Sequence, residues 1–167
     1  MEYTIIDNFL SKEDFANIKT RMVDSDMFPW FYNNLIVPTE LGKKYFQFAH
    51  TFYNFWNWQG EDVWVIKPLL DKIDPKAWIR IKANLTTQSS SIVEQGWHVD
   101  YDFPCTTAIF YLNDTDGYTI FEDGTKVESK ANRLVEFDSK YNHSGTSHTN
   151  EKTRVVINMN YIKDGGK

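Results

Sequence analysis

Cysteine is almost missing from the chain. The single one, Cys105, excludes an internal disulfide. Long apolar runs are missing too: no stretch approaches the ~18 apolar residues of a membrane span. The opening MEYTIIDNFL lacks the basic start and long apolar run of a signal peptide. These absences imply a reducing, cytoplasmic setting, the host cytoplasm for a virus-encoded chain. An excess of positive charge is also lacking. Lys and Arg total 18 against 23 Asp and Glu, a formal net charge of -5, which weighs against nucleic acid as the main partner. Internal repeats and low-complexity linkers are absent. What is present is 41 % hydrophobic and 16 % aromatic residues over 167 positions, enough for one packed domain and too much for a disordered chain.

YTII at residues 3 to 6 reads as a short strand. Ser11 then caps a helix with Asp14 three positions on, and Phe15, Ile18 and Met22 share one face of it. Residues 28–58 are unusually aromatic. Trp30, Phe31, Phe46, Phe48, Tyr53, Phe55 and Trp56 form either part of a lid or plain core, and core is the reading favoured because aromatics bury so much area each. His50, in the same stretch, reads as a hydrogen-bonded imidazole. EDVWVIKPLLDKI at 61–73 suggests a second helix that Pro68 kinks or delays. After Pro75 come short segments separated by Asn, Asp, Gly and Ser clusters, with candidate strands at 77–87, 93–100, 106–112, 118–121, 125–128, 133–137 and 153–161. The expected fold is mainly β: a jelly roll over 76–162, buttressed by the helices and strands of 1–75, in a single domain spanning 1–167. KDGGK at the end reads as a frayed tail.

Two strands alternate cleanly. In 78–85, Trp78, Arg80, Lys82 and Asn84 oppose Ile79, Ile81, Ala83 and Leu85. In 154–161, Arg154, Val156, Asn158 and Asn160 oppose Val155, Ile157, Met159 and Tyr161. The polar faces look either at water or into a pocket inside the roll, with helices over the apolar faces.

His98 and Asp100, in QGWHVDYDFP, stand at i and i+2, so on a strand both side chains leave one face and can grip one ion. Imidazole with carboxylate suits ferrous iron, yet a lone H-x-D is a weak signal that also describes a polar rim. The candidates for a third ligand are His143 and His148. His143 follows the apolar RLVEF and a brief polar link, so it can start the next sheet segment. His148 lies in GTSHTNEK and reads as a solvated residue of a hairpin tip. Arg154 begins the final strand, where its guanidinium holds either a small-molecule carboxylate or a neighbouring acid. Tyr101 and Asp102 follow the metal motif and either touch substrate or form a surface turn. Cys105 reads as a small strand residue.

Taken together, these motifs resemble the iron(II)- and 2-oxoglutarate-dependent dioxygenases, in particular their prolyl 4-hydroxylase-like branch. WHVD matches the H-x-D motif, and TTAIFYLND is similar to the strand bearing the cosubstrate tyrosine. DGYTIFEDG resembles the glycine-led strand, RLVEFDSKYNH the strand delivering the distal histidine, and TRVVINMNY the strand starting with the cosubstrate arginine. The five lie in family order through about half of the chain. The resemblance implies His98, Asp100 and His143 as iron ligands. It implies Arg154 on the distal carboxylate of 2-oxoglutarate with the Tyr111 hydroxyl beside it, and Asn84 and Asn158 as further contacts in the pocket. Fe(II), 2-oxoglutarate and O2 would be the cofactor and cosubstrates, and the reaction would couple decarboxylation to succinate with hydroxylation of a substrate. The implied substrate is a prolyl or other residue of a protein or peptide; alternatives are a small molecule, or a jelly roll that binds without turnover. The chain departs from the pattern at Tyr118, in place of a second glycine, and in the insertion TTQSSSIVEQG before His98. Both departures bear on substrate contacts.

Overall fold

The computed structural model describes residues 2–163; the tail read as frayed lies, from residue 164 on, outside the described residues. Ser11 caps the first helix, its Oγ accepting from the Asp14 amide at 3.1 Å and donating to the Asp14 carboxylate at 2.7 Å. That helix, α1 (Lys12–Lys19), widens into a π turn at Thr20–Asp24. Ile18 and Met22 enter the core, with Phe15 packed on it. Pro68 delays the second helix. A 3-10 turn at Asp62–Ile66 comes first, and α2 (Lys67–Ile73) takes the proline in its first turn, where a missing N–H costs nothing. Among the described residues no helix is long and apolar enough to cross a membrane.

Among the described residues eleven strands follow one another: β1 (Tyr3–Ile6), β2 (Phe31–Asn33), β3 (Gln47–Asn54), β4 (Asn57–Trp58), β5 (Ala77–Thr87), β6 (Thr106–Tyr111), β7 (Tyr118–Phe121), β8 (Lys126–Glu128), β9 (Arg133–Asp138), β10 (His143–Gly145) and β11 (Thr153–Ile162). The main sheet runs β1-β9-β6-β11-β5-β3-β2, with β4 paired to β3, and a smaller sheet runs β10-β7-β8. All pairs are antiparallel. The result is the mainly β jelly roll expected, with both helices on one face of the main sheet. Strands from the first 58 residues complete that sheet on both sides.

The alternation of β5 and β11 settles which face looks where. Ile81, Ala83, Val155, Ile157 and Met159 pack under the helices against Ile18, Met22, Ile66 and Leu69. On the opposite face, Lys82 stands beside Asn158 and Asn84 beside Val156, and all four line a cavity between the sheets. The polar faces therefore look into the roll.

Two expectations are corrected. Residues 93–100 are not a continuous strand. They touch the smaller sheet through single bridges, Glu94 to Thr146 and His98 to His143, because Gly96 at φ +120° breaks the pleat between them. The aromatic stretch is not mainly core either. Tyr53 is buried and Trp30 packs on the core, but Phe31, Phe46, Phe55 and Trp56 are 63 %, 46 %, 55 % and 83 % exposed. Phe31 is on the edge strand β2, Phe46 just precedes β3 and Phe55 with Trp56 makes the β3–β4 turn, so these side chains stand at the outer end of the main sheet, where area-driven burial has little to work against.

Candidate metal and anion site

The fold gathers His98, Asp100 and His143 into one group that could hold a metal ion. His98 and His143 exchange backbone hydrogen bonds of 3.0 and 2.9 Å, which sets their rings 4.4 Å apart between centroids. One ligand atom from each of His98, Asp100 and His143 falls within 4.8 Å of the others. His143 starts β10, as its place after RLVEF suggested.

The rings are oriented from behind. His143 Nδ1 lies 2.9 Å from the Tyr141 carbonyl and His98 Nδ1 3.2 Å from the Gly96 carbonyl. A carbonyl only accepts, so each Nδ1 carries a proton, and in the neutral ring the lone pair is then on Nε2. Burial, then the nearby His98, pushes His143 down to about 4, so its imidazole is neutral at physiological pH.

Asp100 is the counterpart. Its side chain is only 3 % exposed. Burial by itself would raise its carboxyl. The Arg80 guanidinium, the histidines and the Asn160 amide outweigh burial and hold it at about 2. Oδ2 accepts from Thr107 Oγ1 and Asn160 Nδ2, both at 2.9 Å. Oδ1 accepts from Arg80 at 3.3 Å and faces His98 Nε2 at 3.7 Å. The carboxylate is thus fixed in angle while one oxygen still points at the imidazoles.

The cavity holding this triad has a volume of about 380 Å³ and also takes in Asn84, Asn158 and Arg154. Arg154 is 6 % exposed, makes no ion pair among the described residues, and leaves its Nε unpartnered. Its guanidinium sits over the Tyr111 ring at 5.6 Å. Burial pushes Arg154 down, yet guanidinium keeps its charge in proteins. Of the two readings left open for this arginine, the neighbouring acid is not there. Asn84 and Asn158 likewise turn unpartnered Oδ1 atoms to the cavity. A buried set of unsatisfied donors and acceptors around an unpaired cation is the signature of a polar ligand's seat. Tyr111 stands behind the wall: it is fully buried, and its hydroxyl bonds Thr119 Oγ1 at 2.8 Å. Thr119 is the residue that faces the cavity there.

Two glycines make room. A Cβ at Gly96 would lie 2.6 Å from Thr39 Oγ1 and 2.7 Å from Val37 Cγ2, so this position lets the 37–39 segment close against the chain leading to His98. A Cβ at Gly117 would lie 3.0 Å from Arg154 Cδ and 3.2 Å from His148 Cβ. His148 itself is a correction: it is fully buried beside Arg154, not solvated at a hairpin tip. The turn residues around it are held down by Asp116, whose Oδ1 accepts from the Thr149 amide at 2.7 Å. His50 is hydrogen-bonded as expected, with Nδ1 2.9 Å from the Pro29 carbonyl, and it is buried. Cys105 precedes β6 as a half-buried thiol that burial pushes up and away from reactivity.

Site residues that the motifs did not single out are Arg80 and Lys82, Thr107 and Asn160, and the wall Leu35 to Pro38. The first two were visible as the charged members of an alternating strand. The wall left no signal, because its place depends on a contact across some sixty residues of sequence.

No family model matches the chain, and no curated protein matches it. Solved structures do. A prolyl hydroxylase from Trichoplax adhaerens, in complex with a hypoxia inducible factor oxygen degradation domain peptide fragment, superposes with TM-score 0.68 at 17 % identity, over 96 % of this chain and 83 % of that one. A Pseudomonas putida prolyl-4-hydroxylase gives 0.62 at 14 % identity, over 97 % and 92 %. The epimerase SnoN, in complex with Fe3+, alpha ketoglutarate and nogalamycin RO, gives 0.66 at 12 % identity, over 96 % and 78 %. Likeness at these identities speaks for architecture: the chain has the jelly-roll fold that these 2-oxoglutarate and iron oxygenases share.

Proposed function

We propose that the protein is an Fe(II)- and 2-oxoglutarate-dependent dioxygenase that hydroxylates a residue, most simply a prolyl residue, of a peptide or protein. The observation that carries this reading is the convergence of two imidazoles and a carboxylate in one cavity with a buried, unpaired guanidinium. That donor set suits ferrous iron with coordination positions left open. His98 and His143 would bind through Nε2 and Asp100 through Oδ1. Arg154 would hold the distal carboxylate of 2-oxoglutarate, and Asn84 and Asn158 would satisfy their open oxygens on donors of the bound groups or on ordered water. Tyr111 supports this end from beneath the guanidinium, with Thr119 presenting a hydroxyl in front of it. When bound, iron and 2-oxoglutarate supply an O2-driven oxidation in which CO2 and succinate leave and a hydroxyl group is delivered to the substrate. The protein's own part is to bind, orient and exclude water; no side chain acts as a general base. The prolyl and peptide parts of the reading rest on the likeness to the two hydroxylases and on the open groove described below.

Anaerobic titration with ferrous iron and 2-oxoglutarate tests it. A weak visible charge-transfer band is expected in the native chain, lost in His98→Ala and weakened in Arg154→Met, with succinate formation in air following the same order. Folded protein that shows neither band nor succinate is a non-catalytic jelly roll.

A further inference from the structure

A second hollow, of about 840 Å³, adjoins the first and shares Asn33, Arg80 and Lys82 with it. Its far wall is aromatic. Phe31 rises from the edge strand β2, and Phe55 from the β3–β4 hairpin meets Tyr101 edge to face at 6.2 Å between centroids. Tyr101 in turn lies under the Arg80 guanidinium at 5.7 Å. The groove therefore runs from the sheet edge to the triad, with the two cations at the junction.

The charge at that junction is not balanced. Arg80, Lys82 and Arg154 line the first cavity against one carboxylate, Asp100. A ferrous ion adds two positive charges and a bound dicarboxylate removes two, so the surplus of two persists with the site loaded. Arg80 is engaged by Asp100, whereas Lys82 makes no ion pair among the described residues. Lys82 is also half-buried, and burial pushes its ammonium down. The acid in the second hollow, Asp62, pairs with Arg21 at 3.6 Å. A desolvated ammonium without an ion pair, in a protein whose net charge is -5, is a local attraction for anions.

The hairpin supplies an independent observation. Phe55 and Trp56 are the two residues between β3 and β4, and both have positive φ, +38° and +70°. A two-residue turn of this kind favours Asn-Gly, and bulky side chains strain it. The Phe55 amide donates to the Ile79 carbonyl at 3.0 Å and the Trp56 amide to the Tyr53 hydroxyl at 3.1 Å, but the Trp56 side chain stays exposed, and retained strain concentrates at sites that grip ligands.

We infer, resting on the proposed function, that the substrate is an acidic peptide. It lies in the aromatic groove between the β3–β4 tip and Tyr101 and carries a carboxylate beside the oxidised residue, which Lys82 binds. Lys82 is then the residue that determines specificity, and Phe55 with Trp56 is the rim that holds the peptide's apolar side chains.

The test uses the full chain loaded anaerobically with ferrous iron and 2-oxoglutarate, so that peptides bind without turning over. The probes are three fluorescein-labelled degenerate peptide pools with a central proline flanked by Glu, Gln or Lys, read by anisotropy, with dT12 as a nucleic-acid probe. The Glu pool should bind at least tenfold more tightly than the other two. Lys82→Met should abolish that preference and Lys82→Arg should restore it, with the charge-transfer band recorded for both. Replacing the tip by Phe55→Asn with Trp56→Gly should weaken the Glu pool about tenfold while raising the melting temperature. Equal binding of the three pools, including no binding of any, overturns the inference, as does tighter binding of dT12. Loss of the band in Lys82→Met also overturns it, because the lysine then serves the cosubstrate. Absence of the band in the native chain is a separate result: it removes the proposed function whatever the peptides do.

Discussion

The two faces of β11 are made of the same backbone and serve opposite ends. Toward the helices, Val155, Ile157, Met159 and Tyr161 are at most 1 % exposed in a dry apolar layer. Toward the cavity, Arg154, Asn158 and Asn160 each keep a buried polar atom without a partner, and β5 opposite adds Arg80, Asn84 and Thr86. Six of the ten such atoms among the described residues thus lie on one face of two paired strands. Each unsatisfied buried group costs stability. Their concentration teaches that this face is shaped for something other than folding, and that the apolar face carries the stability that lets it be so.

The comparison breaks if a change on the apolar face is harmless. Ile157→Ala should destabilise the chain by ~2–5 kcal/mol, through lost burial and the cavity left behind. Denaturant unfolding measures this directly, and the charge-transfer band should survive under conditions where the variant stays folded. Across the strand, Arg154→Met should do the reverse. It removes a desolvated unpaired charge and keeps much of the packing on Tyr111, so stability should be unchanged or higher by up to ~2 kcal/mol. The affinity for 2-oxoglutarate should nonetheless fall ~100-fold, as losing a charged hydrogen-bonding partner typically costs 2–5 kcal/mol of binding. A destabilised Arg154→Met with intact cosubstrate binding would reverse the roles assigned to the two faces.

How much of this was legible in the sequence follows the range of the interactions. Patterns decided within a few residues were readable: the period-two split of β5 and β11, the close pair His98 and Asp100, and the helix cap of Ser11 three positions before Asp14. His143 was reached through the register of one strand and a short link. The misread parts depend on what lies across the fold. His148 sits among turn residues and reads as solvated, but a side chain from Asp116 holds its loop against Arg154. The aromatics of 28–58 read as core because their hydrophobicity says nothing of whether a neighbouring layer exists, and at the sheet edge none does. The Tyr111 hydroxyl was expected at the distal carboxylate of the cosubstrate, yet Thr119, from a different sheet, stands in front of it.

A polar cluster that the protein satisfies by itself sharpens the contrast, with the smallest effect. Arg133 donates from Nε to Asp7 Oδ1 at 2.6 Å and from a terminal nitrogen to Oδ2 at 3.1 Å, and Lys130 Nζ reaches Oδ2 at 2.9 Å. These bonds, those of Arg133 first, hold the Asp7 carboxyl down at about 2 against its ordinary 3.8. The folded state therefore binds the proton less readily than the unfolded chain. The stabilisation is complete above pH 3.8 and disappears as the pH falls through about 2. Because the Asp7 side chain is 36 % exposed, water and salt screen the pair, and Asp7→Asn should cost under ~1 kcal/mol at neutral pH. Unfolding midpoints of the two proteins from pH 7 to 2 should differ by that constant amount and then converge at the acid end. The same cluster should be indifferent to 2-oxoglutarate, since its partners are all supplied by the chain, whereas the cavity face should gain stability with added ligand in proportion to how many of its open groups the ligand fills.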